Sequence, residues 1–342
     1  MLSMGCAEKH AHVENLSVPW RNFSRRNKQL HSEKDSRPSL SGKDSRMPVG
    51  GQAVIEGVLM RGPKMWGLAV RQHDGSIARE HWDAVARSAL FPWKLPILRG
   101  LVVMFEMLKI GIRALNRSAQ IALGEDDTIT PLEFAGSILV ALAAVIVFFV
   151  ALPVWFAHWT SEAWNLSSVV RNIIEGFVRG GFFVAYVAAI GMWEDIRQVF
   201  RYHGAEHKTI NAFESGFPMT PDNVMSCSRI HPRCGTSFLL IVVIVSIIVF
   251  SIAGHGSLFW KIFMRILLLP VVVGLSYEII RAASSVKTFG KIILWPALSF
   301  QYLTTREPSR EQVEVAIAAL EEALGRVFDD YSGGERNNEF GE

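Results

Sequence analysis

The stretch that decides the fold is Tyr202–Lys208, with the sequence YHGAEHK. We expect it in a loop region between apolar segments. If the stretch is helical, His203 and His207 are four residues apart and share one face. Two imidazoles on one face can bind a single divalent metal ion, and Glu206 beside them can orient or deprotonate a water. The stretch fits the H-x-x-E-H motif of reversed metallopeptidases, although Gly204 within it slightly disfavours a helix.

A second pair of candidate ligands follows the motif after 24 residues. His231 and Cys234 are three residues apart, so both can face one ion from a turn. Three imidazoles and one thiolate would suit Zn²⁺. If all four side chains bind, the site is structural. If Cys234 stays outside, an open position remains where Glu206 can activate a water. Glu214 and Glu278 are carboxylate alternatives.

The composition is typical of a membrane protein, because half of the 342 residues are hydrophobic and concentrate in blocks of membrane-spanning length. We predict a mainly α-helical polytopic membrane protein, with a small N-terminal β unit and a C-terminal amphipathic helix. Its four-helix membrane domain covers residues 134–280. A net charge of +3 gives no reason to expect nucleic acid, and three cysteines do not make a disulfide framework. The four predicted spans are about Phe134–Trp159, Ile173–Trp193, Phe238–Ala253 and Ile262–Ile280.

The distribution of basic residues predicts the orientation. Lysine and arginine are frequent before the first span, within residues 194–237 and after the last span. The connection 160–172 has Arg171 as its only lysine or arginine, and the connection 254–261 has only Lys261. By the positive-inside rule, both termini and the metal-site loop 194–237 are cytoplasmic. The predicted location is therefore the cytoplasmic membrane, with a multi-pass topology.

The N-terminal part is predicted to contain a disordered extension, a β unit and a helix. Residues 1–46 are polar and cannot bury enough apolar surface to fold alone. Residues 48–83 form a small cytoplasmic β unit, because 52–60 is apolar and 73–75 carries the hairpin signal His-Asp-Gly. Residues 95–123 have apolar positions at helical spacing. They predict either a helix packed on the protein or one in the membrane interface, with basic residues toward anionic headgroups.

The C-terminal part is predicted to contain an interfacial segment and a helix within residues 289–328. Residues 289–303 are apolar but interrupted by Trp-Pro, so they are too short and broken for a fifth span and are interfacial or re-entrant. Ser309 is a good N-cap with Gln312 at the capping-box position. They begin an amphipathic surface helix docked on the cytoplasmic domain. Residues 332–342 are predicted to be disordered.

Several long blocks of the chain resemble the signature blocks of the bacterial DUF1385 family, the YqhQ-like membrane proteins. The resemblance covers roughly residues 48–325. It implies the membrane architecture and the positions of the motifs, and it implies a metal-dependent enzyme of unnamed substrate. The blocks are GGQAVIEGVLMRGP at 50–63, YHGAEHK at 202–208, HPRCGTSF at 231–238, LTTREP at 303–308 and EVAI at 314–317.

Residues and resemblance together favour a metal-dependent hydrolase at the cytoplasmic membrane face. Its metal ligands would be His203 and His207 with His231 or Cys234, and Glu206 would be catalytic. The alternative is a non-enzymatic membrane scaffold or assembly factor with a structural metal. A transporter ranks third, because the few charges in the spans lie toward their ends. The expected cofactor is a divalent metal of the zinc type. The expected partners are the lipid bilayer, an unknown substrate or protein, and a second copy of the chain.

Overall fold

The chain folds into a small antiparallel sheet followed by helices. The computed structural model describes residues 47, 49–84, 91–123, isolated positions between 136 and 159, 167–252, 258–285, 289–326 and 328. The predicted disordered segments, 1–46 and 332–342, lie outside the described residues. The strands are β1 (Gly50–Val54), β2 (Gly57–Arg61), β3 (Met65–Arg71) and β4 (Ile77–Asp83). The helices are α1 (Leu98–Leu123), α2 (Ser168–Ile190), α3 (Glu194–Glu214), α4 (Pro221–Met225), α5 (Gly235–Ile252), α6 (Leu258–Ser285), α7 (Phe289–Thr304) and α8 (Arg310–Leu324).

The sheet is an antiparallel meander in the order β1-β2-β3-β4. The apolar run 52–60 is not one strand, because it folds back after Val54, which pairs with Gly57. The turn between them places Glu56 at φ 48°, in the left-handed region. The run is continuously apolar because the sheet is covered on both faces. Val58 packs into one core with α8, while Leu59 packs into another with α1.

The second hairpin lies where the sequence predicts it. β3 and β4 are joined by the His-Asp-Gly turn, in which Gly75 has φ 87°. The backbone N–H of Ser76 donates to a carboxylate oxygen of Asp74 at 2.9 Å, which closes an Asx turn. The prediction of a small N-terminal antiparallel sheet is therefore confirmed.

The main core lies between the sheet, α3 and α8. Tyr202 and Phe213 of α3 pack into the same buried cluster as Ala316 and Leu320 of α8. The predicted capping box of α8 is present: the Ser309 hydroxyl accepts from the N–H of Gln312, whose side chain accepts from the N–H of Ser309. The prediction of a surface helix is wrong, because α8 is covered on more than one face and residues 315–320 are all buried.

Two of the described helices are long and apolar enough to cross a membrane, at Ile173–Ile190 in α2 and Phe263–Ala283 in α6. They correspond to two of the predicted spans. A shorter apolar stretch, Gly235–Phe250, lies in α5 at the position of another. Of the first predicted span, Phe134–Trp159, the structure describes only isolated positions, so the span as a whole is not described. The structure thus confirms a mostly helical chain, and the polytopic membrane character stays a prediction.

Two connecting segments are more regular than expected. The predicted loop 194–237 contains α3, which includes the whole YHGAEHK stretch. Its helix continues through Gly204 because this residue packs against another part of the backbone: a Cβ at residue 204 would lie 2.0 Å from the carbonyl oxygen of Arg306. The Trp-Pro pair within 289–303 does not interrupt the helix, since α7 runs through Pro296, and the interfacial or re-entrant position of this segment stays a prediction. Leu294, two residues before this proline, and Ala297, directly after it, are buried. Their burial helps to offset the backbone hydrogen bond that the proline cannot form.

The close approach at Gly204 makes a stability prediction. We expect Gly204→Ala to lower the free energy of unfolding by about 1–3 kcal/mol, because the backbone oxygen of Arg306 cannot move aside as a side chain would. Gly181→Ala in α2 is the matched control, since no heavy atom lies within 4 Å of its added Cβ. The control should be neutral or slightly stabilising. Thermal unfolding of the purified variants measures both effects, and equal midpoints for the two would contradict the account.

Candidate metal centre

The H-x-x-E-H motif lies in a fully packed part of α3. Every residue from Tyr202 to Ile210 is buried, so the helix is covered on all sides at this point. His203 and His207 are one helical turn apart, and their ring centroids are 4.4 Å apart. The expected common face is therefore observed, and it points into the protein.

Three side chains of the predicted site converge. The potential ligand atoms of His203, His207 and Cys234 all lie within 4.8 Å of one another, and all three residues are buried. Cys234 immediately precedes α5, and its Sγ is 3.2 Å from Nε2 of His203. Glu206 lies beside this group, with Oε2 3.8 Å from the same Nε2. The structure thus brings together four of the five predicted site residues.

Backbone carbonyls fix the orientation of both histidine rings. Nδ1 of His203 lies 2.8 Å from the carbonyl oxygen of Thr304, and Nδ1 of His207 lies 2.7 Å from that of Arg229. A carbonyl oxygen can only accept, so each Nδ1 carries the donating proton. Both Nε2 atoms are then directed at the cluster. Nε2 of His207 is buried and has no hydrogen-bond partner among the described residues. Carbonyl groups that hold the far nitrogen of each ring, together with a buried Nε2 that has no partner among the described residues, fit a bound metal ion.

His231, the fifth predicted site residue, lies beside the group but is not part of it. Its ring centroid is 5.8 Å from that of His207. The backbone N–H of Arg233 donates to Nδ1 of His231 at 3.4 Å, so Nδ1 is an acceptor and Nε2 carries the proton. Burial lowers the pKa of His231 to about 4, and the neighbouring His207 adds to this effect. Nε2 of His231, like that of His207, is buried and has no hydrogen-bond partner among the described residues. His231 lies outside the three-residue group whose ligand atoms converge, so its role as a ligand stays a prediction.

The two carboxylate alternatives have partners of their own. Glu214 forms an ion pair with Arg233, and its Oε2 is 3.6 Å from Nε2 of His231. Glu278 is paired with Arg99 of α1. Neither carboxylate belongs to the converging group, and Glu206 is the carboxylate that lies next to it.

His203 and Cys234 shift each other's pKa in opposite directions. Burial alone would lower the pKa of His203, but the sulfur of Cys234 outweighs it and raises the pKa to about 9. Burial would raise the pKa of Cys234, but His203 and His207 hold it well below its ordinary value. Burial raises the pKa of Glu206 against the opposing effect of the two histidines. His203 and Cys234 therefore form an imidazolium–thiolate pair when no ion separates them.

Several positioning residues were missed by the sequence analysis. The carbonyl groups of Thr304 and Arg229 orient the histidines, and backbone groups leave no residue-type signal. Gln301 is a buried amide in an apolar helix, and that contrast could have identified it. Its side chain accepts from the N–H of His231 at 2.8 Å, and donates to the carbonyl oxygen of His231 and to the hydroxyl of Ser237 at 2.7 Å each. Gln301 thus fixes the backbone that leads to Cys234.

Lys208, the last residue of the YHGAEHK stretch, fixes the chain at Met225 and Cys227. Its buried Nζ donates to the carbonyl oxygens of Met225 and Cys227 at 2.8 and 2.9 Å. It is also 3.1 Å from a carboxylate oxygen of Glu307. These contacts fix the chain just before Arg229, whose carbonyl oxygen orients His207.

The edge of the sheet covers the general-base candidate. A Cβ at residue 51 would lie 3.1 Å from Cγ of Glu206. Gly51 therefore lets β1 approach this side chain closely. Gly50 and Gly51 begin β1, and the packing role of Gly51 becomes visible only in the fold.

Comparison with known proteins gives one family and one relative. The family described as "Protein of unknown function (DUF1385)" matches residues 95–326, a range that includes the whole converging group. A protein of Bacillus subtilis (strain 168), named "Uncharacterized protein YqhQ", is 35% identical over 296 residues. That alignment covers 80% of this chain and 92% of the relative. No solved structure matches the chain.

The paired pKa shifts predict a thiolate at neutral pH in protein stripped of metal. The thiolate of Cys234 should persist above its lowered pKa and disappear as the pH falls through that value. In His203→Gln the thiolate should appear only at a higher pH, near the ordinary pKa of about 8.5. The ultraviolet absorbance of thiolate, measured against Cys234→Ser as the blank, follows both titrations. Coincident titrations of the wild type and His203→Gln would contradict the pairing.

Proposed function

The chain belongs to the DUF1385 family, and on that premise we propose that it is a metal-dependent hydrolase. His203, His207 and Cys234 would hold one divalent ion of the zinc type, and Glu206 would be the general base. The observation that carries the proposal is the convergence of three ligand atoms within 4.8 Å. The carbonyl contacts that direct both Nε2 atoms inward support the same assignment.

The number of ligands favours catalysis over a purely structural role. Structural zinc sites usually have four protein ligands, whereas catalytic sites have three and an open position. A divalent ion held here would supply Lewis-acid polarisation of a substrate carbonyl or phosphoryl oxygen. Glu206 is not needed as a ligand, and burial raises its pKa, which makes its carboxylate a stronger base than an exposed one. Its carboxylate can therefore accept a proton from a water molecule beside the three ligands.

The proposal includes a location in the cytoplasmic membrane, with the metal centre on the cytoplasmic side. Support comes from the two apolar helices and from their many exposed apolar side chains, such as Phe177 and Ile266. Trp193, three residues after the end of α2, is also exposed, as expected for an aromatic residue at a membrane interface. The charges in these helices are paired, since Glu175 accepts from both Arg179 and Arg265. Paired charges are expected of ionisable groups in a membrane domain.

A second candidate function is a membrane scaffold that uses the ion only for stability. The observation in its favour is burial, because His207 is 1% exposed and Cys234 is 7% exposed. An ion there would tie α3 to the start of α5, and a substrate would need an opening to reach it. The two candidates differ in the consequence of removing Glu206, because a structural ion does not need a general base.

Metal content and turnover together test the proposal. Purified wild-type protein should bind one equivalent of Zn²⁺, and His203→Ala, His207→Ala and Cys234→Ala should each lose it. Glu206→Gln should keep the ion and lower hydrolysis of chromogenic ester or phosphate substrates by about 10²–10⁴-fold, the usual contribution of a general base.

His231→Gln is the matched control, because it removes an imidazole next to the cluster that is not in the ligand set. It should keep the metal. A wild-type protein that binds no zinc would contradict the metal site itself. A Glu206→Gln variant with full metal and full turnover would remove the catalytic role of Glu206, whereas a wild-type protein that binds zinc and turns over no substrate would favour the scaffold.

A further inference from the structure

Helix α1 carries an apolar stripe that the described protein leaves open. Phe105 and Leu108 are 63% and 55% exposed, and Ile112 and Leu115 are exposed as well. These residues follow one another at intervals of three, four and three, so they form one stripe along the helix. Large apolar residues in such a continuous row mark an interaction surface rather than ordinary surface scatter.

A different stripe of α1 makes its contacts with the protein. The buried residues of the helix are small: Gly100, Gly111, Ala114 and Ser118. Ala114 packs into the core beneath the sheet, and a Cβ at residue 111 would lie 2.9 Å from the side-chain nitrogen of Gln52. The apolar side of α1 is therefore wider than the part of the helix that the sheet and α6 cover. The larger apolar side chains are on the uncovered part.

The exposed surface continues before the helix and joins α6. Phe91, Trp93 and Leu95 are all exposed. Where α1 begins, a Cβ at Gly274 would meet Ile97 at 2.3 Å. Gly274 lies in Phe263–Ala283, one of the two helices long enough to cross a membrane. Arg99 in the first turn of α1 pairs with Glu278, nearer the C-terminal end of that helix. The start of α1 is thus packed against a candidate span, toward its C-terminal end.

The charges beside the stripe indicate which partner covers it. Lys94 and Lys109 are exposed, and the guanidinium of Arg113 lies 4.7 Å from the ring centroid of Trp82. An apolar stripe bordered by basic residues suits an anionic phospholipid surface. A second copy of the chain would bring the same basic residues together, which is unfavourable.

We propose that α1 and the segment 91–97 before it lie in the membrane interface and bind anionic phospholipid. The stripe Phe105–Leu115 would face the acyl chains, with Lys94 and Lys109 at the phosphate groups. This inference rests on the membrane location proposed above and specifies which part of the extramembrane fold touches lipid.

Site-specific photocrosslinking tests this inference in the full-length protein. The photoreactive residue p-benzoylphenylalanine replaces Phe105 in one variant and His73 in another, an exposed residue of the β3–β4 turn. A third variant carries it at Ile266, on the exposed face of α6. Each protein is reconstituted in nanodiscs of phosphatidylglycerol and phosphatidylcholine, and adducts are identified by mass spectrometry. We expect lipid adducts at positions 105 and 266 and none at 73.

The three positions separate this inference from the membrane location itself. Lipid adducts at 266 with none at 105, or with protein adducts at 105, would overturn the inference alone. An absence of lipid adducts at both positions would overturn both proposals. Adducts at 105 without adducts at 266 would support the interfacial helix and contradict the span.

The anionic preference has its own test in the same nanodiscs. Lys109→Gln in the variant with the photoreactive residue at 105 should lower the ratio of phosphatidylglycerol to phosphatidylcholine adducts by about fivefold, the effect of one basic residue near an anionic surface. Lys64→Gln on the β unit is the control and should leave the ratio unchanged. Equal ratios with and without Lys109 would contradict the headgroup contact. Thermal unfolding checks that the variants are folded.

Discussion

The crossing of α3 over the backbone at residues 304–306 is the constraint on which the rest of the structure depends. Gly204 lets α3 touch the carbonyl oxygen of Arg306, and the N–H of Arg306 donates to the carbonyl oxygen of Phe200 at 2.8 Å. At the same crossing, the carbonyl oxygen of Thr304 accepts from His203. One backbone contact therefore joins the end of α7 to the metal-centre helix, orients an imidazole and sets the direction in which the chain enters α8.

The same crossing explains why the candidate ligands are buried so deeply. The carbonyl oxygen of Thr305 accepts from Arg229, whose own carbonyl oxygen orients His207. The segment that carries Cys234 is fixed in turn by Gln301 of α7. A buried imidazolium–thiolate pair is costly unless its charges are matched. A divalent ion that replaced the shared proton would leave one positive charge beside the thiolate, and the carboxylate of Glu206, 3.8 Å from Nε2 of His203, would balance it. The arrangement therefore suits metal binding.

Sequence alone predicts the features that local patterns control. The spacing of His203 and His207, the capping box at Ser309 and the hairpin at 73–75 are all local, and the structure contains each of them. Whether His231 is a ligand cannot be decided from local patterns, because its tautomer depends on the backbone N–H of Arg233 and its position depends on α7. From the sequence, Gly204 only predicts a less stable helix. Its packing against Arg306 cannot be predicted locally, because Arg306 is about 100 residues away in sequence. The burial of α8 was missed for the same reason, because it depends on the sheet and α3 closing around it.

The most direct test of the central claim is X-ray absorption at the zinc edge of the purified, zinc-loaded protein. If His203, His207 and Cys234 are the ligands, the first shell should contain one sulfur at ~2.3 Å and two imidazole nitrogens at ~2.0–2.1 Å. The remaining position should be filled by a light atom such as oxygen. A first shell without sulfur, or one with three imidazoles, would contradict the assignment.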